Sequence, residues 1–289
     1  THNSLFYTDE NLEPQPCLVE SYEIVSDTEW VFKLKQGVKF HNGQEMKAAD
    51  VKASLELCKE SPQVSQYGDA VESVEVIDDY TVKITTNGPH SGLLTDLSHH
   101  GNAILPADLI ASGHDFNKEP IGTGPYKFVA WNKGESIELE ANEDYWGGAP
   151  AIKHVTWKII PEGSSRTMAL EAGEVDMIIE VESTDLSRLQ DNPDIVTVNE
   201  PGTGHNWVMI NNEKAPFDNI DFRRALASAI DKNAVVQVAL NGLGSVSDSM
   251  IAESFPGVVT DGAPTYDPEK AKEYLAASGL SPADCTFSI

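Results

Sequence analysis

The strongest constraint in this sequence is a change of period among its apolar residues. Trp30, Phe32 and Leu34 alternate with Val31, Lys33 and Lys35 and stop at Gly37, which marks a strand with one face on a core. Between Asp50 and Lys59 the spacing changes: Val51, Ser54, Leu55 and Cys58 fall at i, i+3, i+4 and i+7, positions that only a helix brings to one side. Val74 and Val76, then Tyr80, Val82 and Ile84, alternate again around Asp78-Asp79 and predict two strands joined by a tight turn. Lys127 to Trp131 and Ile137 to Ala141 repeat that pattern around Asn132-Lys133-Gly134-Glu135. A chain of this kind folds into a sheet-rich first half with a few helices.

Further along, Pro106 before Asp108, Leu109 and Ile110, with Gly113 behind, predicts a short helix. A strand from Val155 to Ile160, a helix from Arg166 to Ala172 capped by Ser164 or Ser165, and a strand from Val175 to Val181 suggest a crossover unit in a partly parallel sheet. Asp221 is expected to cap a helix whose apolar positions are Phe222, Ala225, Leu226, Ala229 and Ile230. Asp267-Pro268 opens another, with Ala271, Tyr274 and Leu275 inward and Gly279 at its end. Glu200-Pro201-Gly202-Thr203-Gly204 separates strand-like stretches at Ile195 to Val198 and Trp207 to Ile210 and reads as a hinge. Thr286 to Ile289 begins a strand with no room for a partner after it, which implies a truncated chain.

At 289 residues, 40% hydrophobic and 23% charged, the chain is an ordinary globular protein with room for more than one core. The 20 Lys and Arg against 46 Asp and Glu give a net charge of -26, which repels phosphate backbones and argues against nucleic acid as a partner. The acids are scattered and read as a solvated surface. Three cysteines, Cys17, Cys58 and Cys285, are too few and too far apart for a disulfide framework or a paired-thiol metal site. No run approaches the ~18 apolar residues that span a bilayer.

Three blocks resemble one known family. The first is Leu18-Val19-Glu20-Ser21-Tyr22, then Trp30, Phe32 and Leu34, Gly37-Val38-Lys39-Phe40-His41-Asn42-Gly43, and Asp50-Val51. The second is Pro120-Ile121-Gly122-Thr123-Gly124-Pro125-Tyr126, with Asn142, Tyr145-Trp146 and Gly173-Glu174-Val175-Asp176 downstream. The third is Asn211, Ala215-Pro216-Phe217, Arg223, Ala225-Leu226, Ile230-Asp231 and Tyr266-Asp267-Pro268-Glu269-Lys270-Ala271. In this order they resemble the family 5 extracellular solute-binding proteins, the dipeptide, oligopeptide and nickel-chelate receptors of ABC importers.

The resemblance implies an α/β fold, periplasmic-binding-protein-like (type II, cluster C), with two lobes. Residues 1–150 are then a sheet-rich subdomain of the first lobe, 151–204 the remainder of that lobe, and 205–289 the start of an incomplete second lobe. It also implies a function: capture of a di- or oligopeptide by hinge closure at Pro201, Gly202 and Gly204, and delivery to a membrane permease. Nickel-chelate, sugar or opine ligands are the alternatives within the family, and a peptide hydrolase is the alternative from another class. The implied protein is periplasmic or a cell-surface lipoprotein, monomeric at full length, and uses no cofactor.

Candidate ligand residues follow from their chemistry and their place in that template. Trp207 offers a rigid aromatic face and an N–H, Asn206 a donor and an acceptor, and His205 precedes them where the chain crosses between lobes. His99 and His100 are expected near the cleft wall, and Tyr67 reaches it from the subdomain. Adjacent residues of an extended segment point to opposite faces, so the two imidazoles are not expected to share a metal ion. Gly122-Thr123-Gly124-Pro125 reads as a tight turn, because Pro125 removes a donor that a phosphate-binding loop needs. Nothing matches a Gly-x-Ser-x-Gly elbow, a His-Glu-x-x-His helix, a Walker loop or a calcium loop, and no catalytic residue is assigned.

Overall fold

The computed structural model describes residues 1–285 apart from Pro201, His205, Glu253, Ser254, Pro256, Gly257 and Ala263. The expected strand from Thr286 to Ile289 therefore lies outside the described residues. Two compact units emerge, Thr1–Ile159 and Ile160–Ile289.

The first unit is built on three antiparallel sheets. Strands β1 (Phe6–Thr8) and β2 (Pro14–Pro16) form a ribbon. β3 (Val19–Ile24) and β4 (Glu29–Leu34) are followed by helix α1 (Ala48–Glu60), and then by β5 (Val71–Asp78) and β6 (Thr81–Thr86). These four strands make one sheet in the order β3-β4-β6-β5. Short helices α2 (Leu93–Asp96) and α3 (Ala107–Ser112) lead to β7 (Tyr126–Asn132), β8 (Ser136–Ala141) and β9 (His154–Lys158), which form the third sheet.

The predicted alternation sets the register. Phe32 pairs with Val82 and Trp30 with Ile84, so the buried residues of β4 and β6 share one face, and α1 packs against β5 and β6. Helix α1 buries Val51, Ser54, Leu55 and Cys58, the four positions its spacing named. Each large apolar side chain buried here contributes about 1.5–3 kcal/mol. Asp78 and Asp79 sit at the turn between β5 and β6, where Asp78 Oδ1 accepts the backbone N–H of Tyr80 at 2.8 Å.

Asp50 is only 3% exposed. Its two carboxylate oxygens accept the N–H groups of Lys47 (2.7 Å) and Ala107 (2.8 Å), tying the start of α1 to the start of α3. Burial pushes its carboxyl upward in spite of those bonds.

The second unit is helical: α4 (Gly163–Glu171), α5 (Ser183–Gln190), α6 (Ile220–Ala229), α7 (Lys232–Ala239) and α8 (Pro268–Ser278). Asp267 caps α8 as expected, accepting from the N–H groups of Glu269 and Lys270, and Gly279 ends it in the left-handed conformation. α6 packs against α8, with Asn219 Nδ2 donating to Ser278 O at 3.0 Å.

Several expectations fail here, each for a local reason. The cap of α6 is Asn219, whose side chain accepts from Asp221 and Phe222, while Asp221 lies in the first turn. Ile230 and Ala229 are exposed rather than inward. Ser164 and Ser165 lie inside α4 instead of capping it, and the cap position is Glu162. The stretch 175–181 is not a strand. Arg166 donates to the carbonyls of Ile160, Pro161 and Glu180, taking an acceptor that a strand would offer a neighbour. The crossover unit consequently does not form, and every strand pair among the described residues is antiparallel. The stretches 195–198 and 207–210 carry no strand either, since a strand persists only when a neighbour completes its ladder.

Candidate functional site

Three of the six ligand residues named from sequence come together in the first unit. Ser65–Tyr67 forms a single 3₁₀ turn after α1, and His100–Asn102 another after α2. Asn102, 1% exposed, donates through Nδ2 to the carbonyls of Tyr67 (3.0 Å) and Asp96 (2.8 Å), which pins the two turns together. A side chain at Gly101 would press to 2.8 Å from Cβ of Val64, so the close approach needs glycine.

The resulting ledge is aromatic and polar at once. The Tyr67 and His99 rings lie nearly parallel, 16° apart with centroids at 3.4 Å, and the His100 ring follows at 3.9 Å and 37°. His99 Nδ1 accepts the N–H of Gly101 at 3.0 Å, leaving the proton on Nε2, and Ser4 Oγ donates to the His99 carbonyl at 3.1 Å. Burial and the neighbouring His100 lower the pKa of His99, and Asp96 opposes them. A neutral imidazole stacked on a phenol presents π faces and N–H donors, chemistry suited to amide and aromatic groups.

The helical turn also corrects one premise of the sequence analysis. His99 keeps an extended backbone as the cap of the turn that His100 opens, and their rings are neighbours rather than on opposite faces. Among the described residues no group of three or more His, Cys, Asp or Glu side chains is arranged to hold a metal ion. Asn102, which organises the ledge, was not singled out by sequence. A lone asparagine after His-His-Gly carries no periodic signal.

The other candidates belong to the second unit. Asn206 is exposed, and Trp207 is 56% exposed, so Trp207 is not the core residue of a packed strand. Of the proposed hinge, Gly204 has open space where a side chain would sit, and Gly202 meets only Gly204 N at 3.7 Å. Pro201 and His205 lie outside the described residues.

The polar face of the third sheet holds an open depression of about 440 Å³ lined by Lys127, Glu140, Glu143, Asp144, Lys153 and His154. Lys153 and Glu143 already pair there at 2.8 Å, and none of the described ligand candidates lines it.

The blocks that carried the resemblance serve the scaffold. His41 donates or accepts at both ring nitrogens, to Gly124 O at 3.0 Å and from Gly122 N at 3.4 Å, so the first block grips the turn of the second. Gly124 N in turn donates to Thr1 O at 2.8 Å, and a side chain at Gly124 would come within 2.6 Å of that oxygen. In the third block Arg223 donates to Phe217 O at 2.7 Å and Asp267 N to Ser228 O at 2.9 Å.

Comparison with known proteins agrees with that scaffold. The model of the bacterial extracellular solute-binding proteins, family 5 (Middle), matches residues 13–287. The glutathione-binding protein GsiB of Pectobacterium atrosepticum is 32% identical over 284 residues, covering 96% of this chain and 55% of that protein. The oligopeptide-binding protein AppA of Bacillus subtilis, solved with a nonapeptide, superposes with a TM-score of 0.82 at 28% identity, over 98% of this chain and 59% of that one. NikA of Brucella suis, solved with Fe(III)-EDTA, gives a TM-score of 0.85 at 27% identity, over 97% and 59% respectively. The chain thus spans about half the length of the curated relatives it matches.

Proposed function

The chain belongs to the family 5 bacterial extracellular solute-binding proteins, and from that premise we propose that it is part of a receptor that captures a di- or oligopeptide and delivers it unaltered to an ABC permease. Its fold is the α/β fold of the type II periplasmic binding proteins. The observation that carries the reading is the family match across nearly the whole chain, joined to close superposition on receptors solved with peptides.

In this proposal the complete receptor closes over its ligand. Residues 1–150 form the sheet-rich subdomain of the first lobe, 151–204 its remainder, and the second lobe starts at 205, with articulation at 201–204. Ligand favours the closed form by binding it better, and the permease reads that form. The Tyr67-His99-His100 ledge and Asn206-Trp207 contribute ligand contacts. The receptor works outside the cytoplasmic membrane, in the periplasm or as a lipoprotein at the cell surface. Among the described residues no helix is long and apolar enough to cross a membrane.

The test is calorimetric titration of the full-length receptor with short peptides, glutathione among them, followed by small-angle scattering. Binding with a smaller radius of gyration is expected. Tyr67→Ala should weaken it about tenfold, the worth of one aromatic contact. Binding of haem or a nickel chelate and of no peptide overturns the peptide specificity. Cleaved peptides in the mass spectrum overturn delivery of an unaltered ligand.

A further inference from the structure

We propose that Asn87 is a site of spontaneous covalent modification, becoming aspartate and isoaspartate while the chain's other two Asn-Gly pairs are held back by the fold. The sequence contains Asn42-Gly43, Asn87-Gly88 and Asn241-Gly242. All three asparagines are exposed, so exposure does not separate them.

The reaction needs the backbone nitrogen of the following glycine as its nucleophile. After losing its proton to hydroxide, that nitrogen attacks Cγ of the asparagine. A C–N bond forms, Nδ2 takes a proton from water and leaves as ammonia, the hydroxide is returned, and a cyclic succinimide results. Water then adds to either ring carbonyl and breaks one ring C–N bond, yielding aspartate or isoaspartate. Water is the sole co-reactant, and nothing is oxidised or reduced.

Availability of that nitrogen distinguishes the three sites. Gly43 N–H donates to Phe40 O at 2.8 Å, and Gly242 N–H to Val236 O at 3.1 Å. The Gly88 N–H makes no hydrogen bond among the described residues. An engaged amide must first give up its bond, which slows attack by about tenfold.

The product disturbs what Asn87 holds. Its Nδ2 donates to Asp69 O at 2.8 Å, its N–H to Ala70 O at 3.0 Å, and Gly88 O accepts from the buried Thr86 Oγ1 at 2.8 Å. A carboxylate places an acceptor against the Asp69 carbonyl, and isoaspartate adds a carbon to the main chain. The end of the β5-β6 pair, where Val71 faces Thr86, is loosened in either product.

Trypsin separates the sites, because Lys39 and Lys47, Lys83 and Lys118, and Lys232 and Lys270 bracket them in different peptides. The folded chain is held in mildly alkaline buffer and the three peptides are followed by mass spectrometry with fragmentation. Conversion at Asn87 is expected to run about tenfold ahead of the other two. In denaturant the three rates should converge, and Gly88→Ala, which meets nothing within 4 Å, should slow Asn87. Equal rates in the folded chain, or an order that persists in denaturant, overturns the proposal.

Discussion

The two units bury their apolar residues in different ways. In Thr1–Ile159 a continuous cluster runs from Leu5 and Phe6 through Phe32, Leu34, Leu55, Val82 and Ile84 to Ile104. In Ile160–Ile289 the buried apolar residues described include Ala169 on α4, Leu189 on α5, and Phe222, Ala225 and Ala271 where α6 meets α8. The difference lies in where a strand finds its partner. β5-β6 and β7-β8 are hairpins whose partners lie a few residues away, so closing them costs little chain entropy. The stretches 195–198 and 207–210 join no strand pair among the described residues, and Val196 and Val198 are 90% and 81% exposed.

The largest test of this contrast is a cavity. Phe32→Ala empties a site touching the rings of Phe6, Tyr22 and Trp30 and should cost about 4 kcal/mol in urea unfolding, against about 2 for Leu189→Ala in the second unit. Equal losses would break the comparison.

Asp50→Ala comes next, since it leaves the N–H groups of Lys47 and Ala107 without their carboxylate. A loss of about 2 kcal/mol is expected in the same assay, confined to the first unit.

Acid sharpens the contrast further. Burial, with His41 beside it, lowers His2 from 6.5 to about 4, and burial also lowers His41. Both folded pKa values lie below the unfolded value, so the native unit binds fewer protons than the unfolded chain. The stability these groups contribute is complete above pH 6.5 and is lost as pH falls through their folded pKa values, about 4 for His2. The second unit has no histidine among its described residues. Hydrogen exchange resolved by peptide should therefore show acid loosening around Gly122 and Gly124 and none in α6 or α8, and His41→Gln should reduce it.

The smallest effect is a helix cap. Asp267→Ala removes the acceptor for Glu269 and Lys270 and should lower stability by about 1 kcal/mol, read as lost helical circular dichroism on heating.

Legibility tracked locality. The inward face of helix α1 was readable because Val51, Ser54, Leu55 and Cys58 lie within one helix, and the Asp78-Asp79 turn because both strands flank it. Helix α5 escaped because Ser183–Gln190 holds only Leu186 and Leu189, too few to mark a period. Helix α7 escaped because its valines favour strands, although Asp231 stood ready as its cap. The site was less legible than the fold. Tyr67 and His99 were named singly, but their stacking depends on Asn102 reaching two carbonyls, one of them 35 residues away.

The sequence by itself determined the hairpins, the face of α1, the caps at Asp267 and Gly279, and the family, because these rest on neighbours within a few residues or on motif residues that hold the scaffold. Only the tertiary structure decided that Arg166 takes the Glu180 carbonyl where a strand was expected, that His99 caps the turn His100 opens and stacks on Tyr67, and that the Gly88 amide has no partner among the described residues. Each of those outcomes depends on which distant donor or acceptor arrives, and no local pattern of residues encodes that arrival.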